Sequence, residues 1–319
     1  MNKFKVPELP QKIQIGIQDG YCNLRCPMCF LHSGSRKVDL SKMRGRMSLE
    51  NLSRILNETE SSKPTIIPNR WSEPLLTKNF CEYLELIKGR NLPVFINTNG
   101  LLLTQDMAEF MVKVKLDSIT FSIDAMTPES LKKMRGFSSI KRLNKAVFRM
   151  LKARGKKDYP RIGVSFTETD ENKHEKNNFI DFWLNYADVV RIIKLYKSDK
   201  SIENLKVPEK RIPCHHIYNS LVVNYKGDVL ICCLDALDEV KIGNIFKEGV
   251  RKIWHGDGFK KIRHYHETGQ YEKIPFCKNC STWAFYQYNE KIVKGVLIRE
   301  SPIITFYNRQ DKLNTWKKG

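Results

Sequence analysis

Residues 22–29 read CNLRCPMC and follow KIQIGIQ at 12–18, where apolar and polar side chains alternate as in a half-buried strand. Three thiols thus stand within eight residues. In an α-helix Cys22, Cys26 and Cys29 would share one face but spread over about 10 Å of rise, too far for one compact metal centre. The segment must therefore wrap, and Gly20, Asn23 and Pro27 suit a loop. A structural zinc ion takes four ligands, and the next cysteine, Cys81, sits in the amphipathic NFCEYLELI at 79–87 and reads as a core thiol. An iron–sulfur cluster takes the same soft thiolates, and three protein ligands leave one iron of a four-iron cluster open for chemistry. Zinc is the alternative.

The chain has 319 residues, 41% of them hydrophobic, so one large domain plus a smaller one is expected. MNKFKVPELPQKIQ at the N-terminus contains two prolines and no apolar run of signal-peptide length. No stretch approaches the roughly 18 apolar residues of a membrane span. These features suggest a soluble cytoplasmic protein, in which nine cysteines point to metal binding or catalysis rather than disulfides.

Short β-like runs recur with helical patterns between them: IQIGIQ at 13–18, PTIIP at 64–68, PVFIN at 93–97, SITFSID at 118–124, RIGVSF at 161–166 and VVRIIKL at 189–195. Strands alternating with helices predict parallel βα units, an α/β fold. Six such units fit a partial (β/α)6 barrel. Chemistry in such barrels sits at the C-terminal strand ends. The cysteine loop, WSEPLL, NTNG, IDA, TETD and KSDK all fall there.

A second cysteine set follows. Seventeen residues separate Cys214 from Cys232 and forty-four separate Cys232 from Cys277, before CKNC closes the set at Cys280. SLVVNYKGDVLICC reads as a hairpin turning at Lys226 and Gly227, and helical segments over 246–266 carry Val250, Ile253, Trp254 and Phe259 to pack on it. Zinc is again the alternative, since two cysteines from a hairpin region plus CxxC is also a zinc-ribbon pattern. No cysteine follows Cys280, so this set holds one centre at most.

CxxxCxxC after a first strand resembles the signature of the radical S-adenosylmethionine enzymes. The later set, with GNI at 243–245 and IW at 253–254, resembles the twitch form of the SPASM domain, as in 2-deoxy-scyllo-inosamine dehydrogenase and related enzymes. The resemblance implies a 4Fe–4S cluster on Cys22, Cys26 and Cys29 whose open iron chelates S-adenosylmethionine. It also implies one auxiliary iron–sulfur cluster, of the 4Fe–4S type, on Cys214, Cys232, Cys277 and Cys280. Reduction by a donor such as flavodoxin or ferredoxin would then release a 5′-deoxyadenosyl radical. Ser72, Glu73 and Pro74 resemble the family's Gly-Gly-Glu-Pro loop at the methionine amino group, with Trp71 and Ser72 in place of two glycines. Thr98, Asn99, Ser122 and Asp124 resemble polar positions facing the methionine and ribose, and Met28 stands where an aromatic often lies beside adenine.

The expected organisation is a lead-in over 1–12, the partial barrel over 13–197, a linker over 198–213, a small α+β twitch/SPASM domain over 214–285, and a tail over 286–319. That tail matches no pattern and is expected to pack against the barrel.

The formal charge is +20; seven thiolates on two cores of about 2+ leave about +17. KARGKKDYPR at 152–161 lies opposite the cofactor end and reads as solvated surface. Arg36, Lys37, Lys42, Arg44 and Arg46 after the cysteine loop, with Lys194, Lys197 and Lys200 after the sixth strand, flank the mouth and favour an anionic substrate. A phosphorylated or nucleotide-linked sugar or a cyclitol fits best. A ribosomally made peptide, a nucleic acid and a non-catalytic iron–sulfur role are the alternatives. Only a dozen residues precede the first strand, too few for the leader-binding domain of many peptide-modifying relatives. Cys233, beside Cys232, reads either as a packed thiol or as the catalytic hydrogen donor of an epimerase. On a strand the two side chains would face opposite ways. Without such a donor, oxidation of an alcohol is the expected outcome.

Overall fold

The computed structural model describes residues 4–34, 38–197, 199–202 and 205–313. All six expected strands form: β1 (Lys12–Ile15), β2 (Thr65–Ile67), β3 (Phe95–Thr98), β4 (Ser118–Ser122), β5 (Arg161–Glu168) and β6 (Val189–Lys194). Parallel ladders join β1 to β2 and run from β3 through β6, and one parallel bridge, Ile66 to Val94, connects the two sheets. Helices α1 (Leu49–Thr59), α2 (Phe80–Lys88), α3 (Gln105–Lys113), α4 (Pro128–Arg135), α5 (Ile140–Arg154) and α6 (Lys176–Trp183) lie between the strands. Ser48, Thr104 and Thr127 each accept a main-chain N–H three residues on, which fixes the starts of α1, α3 and α4.

Strand alternation sorts the side chains. Ile13, Ile66, Ile96, Ile119, Ile162, Val164 and Val190 are fully or almost fully buried in one core with the helices. The opposite face carries Lys12, Gln14, Asn97, Ser122 and Thr167, which line cavities. This lumen is therefore open, with polar side chains set among apolar ones, unlike the packed interior of a closed eight-stranded barrel.

Chain segments on both flanks extend the barrel sheet. β7 (Ser220–Val223) pairs parallel with β1, placing Ser220 opposite Lys12. It turns through Asn224–Gly227 into β8 (Asp228–Leu230), which pairs with β9 (Lys241–Asn244). Val250, Ile253, Trp254 and Phe259 pack as expected, in the same core as Leu221, Val223 and the barrel strands. At the other flank, the residues read as a featureless tail form an antiparallel meander: β10 (Asn289–Val293), β11 (Val296–Glu300) and β12 (Ile304–Arg309). β12 pairs antiparallel with β6, from Ile304 opposite Ile193 to Asn308 opposite Val189. Among the described residues no helix is long and apolar enough to cross a membrane.

Candidate active site

The three clustered thiols open on a cavity of about 370 Å³ at the C-terminal strand ends, shared with Met28, Ser72, Glu73, Thr98, Asn99 and Ser122. The loop that holds them is wrapped, as the spacing requires: Cys29 N–H donates to the Cys26 carbonyl at 2.9 Å. Each sulfur has a donor. Leu24 N–H lies 3.4 Å from Cys22 Sγ, His32 N–H 3.3 Å from Cys29 Sγ, and Arg135 Nη1 3.9 Å from Cys26 Sγ. Burial pushes the Cys22 thiol up to about 11 and also raises Cys26, against the pull of Arg135. Neighbouring thiols raise both further, so the thiolate state needs a cationic core to hold it. Three soft donors with N–H···S support and an open side fit an iron–sulfur cluster.

Glu73 is a strut. Its Oε1 accepts from Thr98 Oγ1 at 2.5 Å and from Leu75 N–H at 3.1 Å, while Oε2 accepts from Asn99 N–H at 2.8 Å. Those bonds tie the ends of β2 and β3 together, and Glu73 N–H donates to the Tyr21 carbonyl at 2.9 Å, bringing in the cysteine loop. Neither Trp71 nor Ser72 has positive φ, so the turn forms without the glycines of the family pattern. Pro74 opens the short helix Pro74–Leu76 and does not line the cavity.

Asp124 is fully buried beneath the cavity and not on its wall. It adopts φ +64, accepts from Thr167 N–H at 2.6 Å and forms an ion pair with Arg135. Arg135 is what reaches the cavity. Gly136, at φ +80, ends α4 where an added Cβ would stand 3.2 Å from the Arg25 carbonyl oxygen, so the helix end closes against the cysteine loop.

Cys214, Cys232, Cys277 and Cys280 form the second group. Burial is the first cause of the raised Cys232 thiol, followed by the charges of Cys233, Cys280 and Cys277, and Cys214 responds in the same way to Cys280 and Cys277. Burial pushes Cys277 up to about 12, with Cys280 adding to it and Arg211 and Lys200 opposing. Main-chain N–H groups of Leu234 and Thr282 lie 3.4 Å from Cys232 Sγ and Cys280 Sγ. Arg211 donates to the carbonyls of Cys277 at 2.8 Å and Lys278 at 3.0 Å, bracing the CxxC turn. Four half-buried thiols close enough for their charges to raise one another have the donor chemistry of a fully ligated cluster.

β8 ends at Leu230, so Cys232 and Cys233 lie in the chain that follows it and not on a strand. The expected strand alternation therefore does not separate them. Cys233 nonetheless lines a second, inner cavity of about 360 Å³ with Lys12, Gln14 and His216. Arg70, Trp71 and Asn97 line both cavities.

Of the basic residues expected at the mouth, Lys194 lines the outer cavity. Arg44 lies over the Tyr21 ring at 5.5 Å, Arg46 donates to Gln18 Oε1 at 3.0 Å, Lys200 pairs with Glu239 at 3.7 Å, and exposed Lys42 pairs with Asp39 at 3.9 Å. Lys197 also has a partner. Arg36 and Lys37 fall outside the described residues. Arg70, Trp71 and Arg135 are site residues that sequence reasoning missed, because a single cation or aromatic has no periodicity or spacing to mark it.

The Radical SAM superfamily model matches residues 20–182, just over half of the chain, and the SPASM iron–sulfur cluster-binding domain matches residues 214–281. A probable GTP 3′,8-cyclase of Methanocaldococcus jannaschii is 29% identical over 123 residues, 38% of this chain and 39% of that protein. Mycofactocin maturase MftC of Mycobacterium tuberculosis is 24% identical over 182 residues, 57% of this chain and 44% of that protein. The chain spans about two fifths of the length of these curated relatives. BtrN, solved with AdoMet and 2-DOIA, superposes with a TM-score of 0.56 at 20% identity, covering 86% of this chain and 93% of BtrN. SuiB of Streptococcus suis, solved with its precursor peptide SuiA, gives 0.65 at 15% identity over 86% of this chain and 72% of SuiB.

Proposed function

The chain belongs to the radical SAM superfamily, and on that premise we propose that it abstracts a hydrogen atom from a small, anionic, sugar-like substrate held in the barrel lumen and oxidises it. The radical SAM domain binds a 4Fe–4S cluster and S-adenosylmethionine, and the SPASM domain binds auxiliary iron–sulfur. When bound and reduced, the first pair supplies a 5′-deoxyadenosyl radical.

This chain's residues divide the remaining work. Cys22, Cys26 and Cys29 would hold the first cluster, with Leu24, His32 and Arg135 supporting the sulfurs. Thr98 and Asn99, fixed by Glu73, with Ser122 and Met28, would position S-adenosylmethionine in the outer cavity. Cys214, Cys232, Cys277 and Cys280 would hold the auxiliary cluster, with residues 13–197 and 214–285 proposed as the two functional units.

The observation that carries the reading is the junction of the two cavities at Arg70, Trp71 and Asn97. In this reading the substrate would occupy the space that runs from the cavity of Cys22, Cys26 and Cys29 to Cys233, the chain neighbour of Cys232. Oxidation would remove from the substrate one hydrogen atom, one proton and one electron, the last of which an auxiliary cluster held by these thiols could accept. Inversion at carbon is the second reading, favoured by the Cys233 thiol on the inner cavity wall; a hydrogen atom from that thiol would complete it without net oxidation of the substrate, and the thiyl radical left behind would take one electron from the external reductant and one proton from solvent.

Mass spectrometry after turnover with candidate sugar phosphates and nucleotide sugars tests this. A product two mass units lighter, formed with 5′-deoxyadenosine, is expected. Turnover of a peptide alone would overturn the substrate class.

A further inference from the structure

Two Lys or Arg side chains line the inner cavity, Lys12 and Arg70, and only Arg70 is balanced. Asp19 lies 3.1 Å from it and Asp238 2.8 Å. Lys12, the half-buried first residue of β1, makes no side-chain hydrogen bond or ion pair among the described residues. No carboxylate lines this cavity. The acidic group that acts on Lys12 is the Cys233 thiol, and His215 and His216, which also feel its charge, can only add positive charge. Burial pulls the Lys12 ammonium below its usual range and outweighs the opposing pull of Cys233, as for a cation short of counter-charge. Desolvating an ammonium without a partner is costly, and the open space beside Lys12 is where a partner would sit.

The amides on the cavity wall are set to complement that cation. Asn97 Oδ1 accepts from Arg191 Nη2 at 3.1 Å, which leaves the Asn97 Nδ2 donor for the cavity. Gln14 Nε2 donates to the Asn69 carbonyl at 2.9 Å, which leaves the Gln14 amide oxygen as an acceptor. One ammonium, one amide donor and one amide acceptor match a carboxylate with a hydroxyl nearby. A phosphate monoester carries about two negative charges at neutral pH. It would exceed the single free cation, and the neighbouring Asp19–Arg70–Asp238 group already has one carboxylate in excess. We infer that Lys12 anchors a carboxylate of the substrate, with Asn97 as the second donor, and that the inner cavity selects a sugar acid over a phosphorylated or amino sugar. This rests on the reading of the two cavities as cofactor and substrate space and narrows the class of anion. Because Asn97 lines both cavities, a substrate held at Lys12 extends past Asn97 toward the outer one.

The test is calorimetric titration of the anaerobically reconstituted full chain, saturated with S-adenosylmethionine, with glucuronate, glucose 1-phosphate and glucosamine at matched ionic strength. Glucuronate alone is expected to bind, at one site, at least tenfold more weakly in Lys12→Met and with part of the loss restored in Lys12→Arg. Lys12→Met should bind S-adenosylmethionine as wild type does, because Lys12 does not line the outer cavity; weakened cofactor binding would make Lys12 structural and overturn the anchor. Binding of none of the three, preference for glucose 1-phosphate or glucosamine, or equal binding of glucuronate by Lys12→Met would also overturn it. The two readings fail separately. A product two mass units lighter from a phosphorylated sugar, formed equally by Lys12→Met, would defeat the anchor and leave the oxidation standing. Glucuronate bound through Lys12 but never oxidised would defeat the oxidation and leave the anchor standing.

Discussion

Trp71 Nε1–H donates to the main-chain carbonyl of Cys233 across 2.9 Å, joining residues 162 apart in sequence. Trp71 adjoins the Glu73 strut, and Cys233 adjoins a thiol of the auxiliary group, so the bond links the cofactor end of the barrel to the second iron–sulfur region. Arg70 reinforces it, pairing with Asp19 at 3.1 Å and Asp238 at 2.8 Å and donating to the Asp235 carbonyl at 2.9 Å.

Arg70→Met should therefore destabilise the protein by about 3–5 kcal/mol, because it leaves two carboxylates with their buried counter-ion gone. Anaerobic urea unfolding of the reconstituted protein measures this. A loss below about 1 kcal/mol would show that the two regions do not depend on the pair.

Cys277→Ala should lower iron content by about four per chain and leave the first cluster able to bind S-adenosylmethionine. Iron analysis with electron paramagnetic resonance checks both points. One equivalent of zinc in native protein, with no second set of irons, would contradict the auxiliary assignment.

Cys233→Ala separates oxidation from inversion. For oxidation it should cost only the roughly 1 kcal/mol of a mild core change and leave a product two mass units lighter. For inversion, turnover in deuterated water should place deuterium at the inverted carbon, since a thiol proton exchanges with solvent. The variant would then form 5′-deoxyadenosine without inverted product. Solvent deuterium in a product of unchanged mass in ordinary water would reverse the present preference for oxidation.

Much of this architecture is legible in the sequence because it is repetitive. The spacing of Cys22, Cys26 and Cys29 forces a loop, and alternation in KIQI, SITFS and RIGVSF marks strands whose polar motifs follow at one end. Two features escaped for physical reasons. The meander over 289–309 has one strand exposed along its whole length and pairs with β6, a long-range contact that local pattern does not encode. Asp124 looked like a cofactor contact, yet left-handed backbone at that residue turns it toward Arg135.

The most direct test is reductive cleavage of S-adenosylmethionine by wild-type protein and by the variant with Cys22, Cys26 and Cys29 all replaced by alanine. Wild type should carry about eight irons and form 5′-deoxyadenosine with dithionite; the variant should lose about four irons and all cleavage. Cleavage that survives in the triple variant would contradict the assignment of these thiols as the catalytic cluster site.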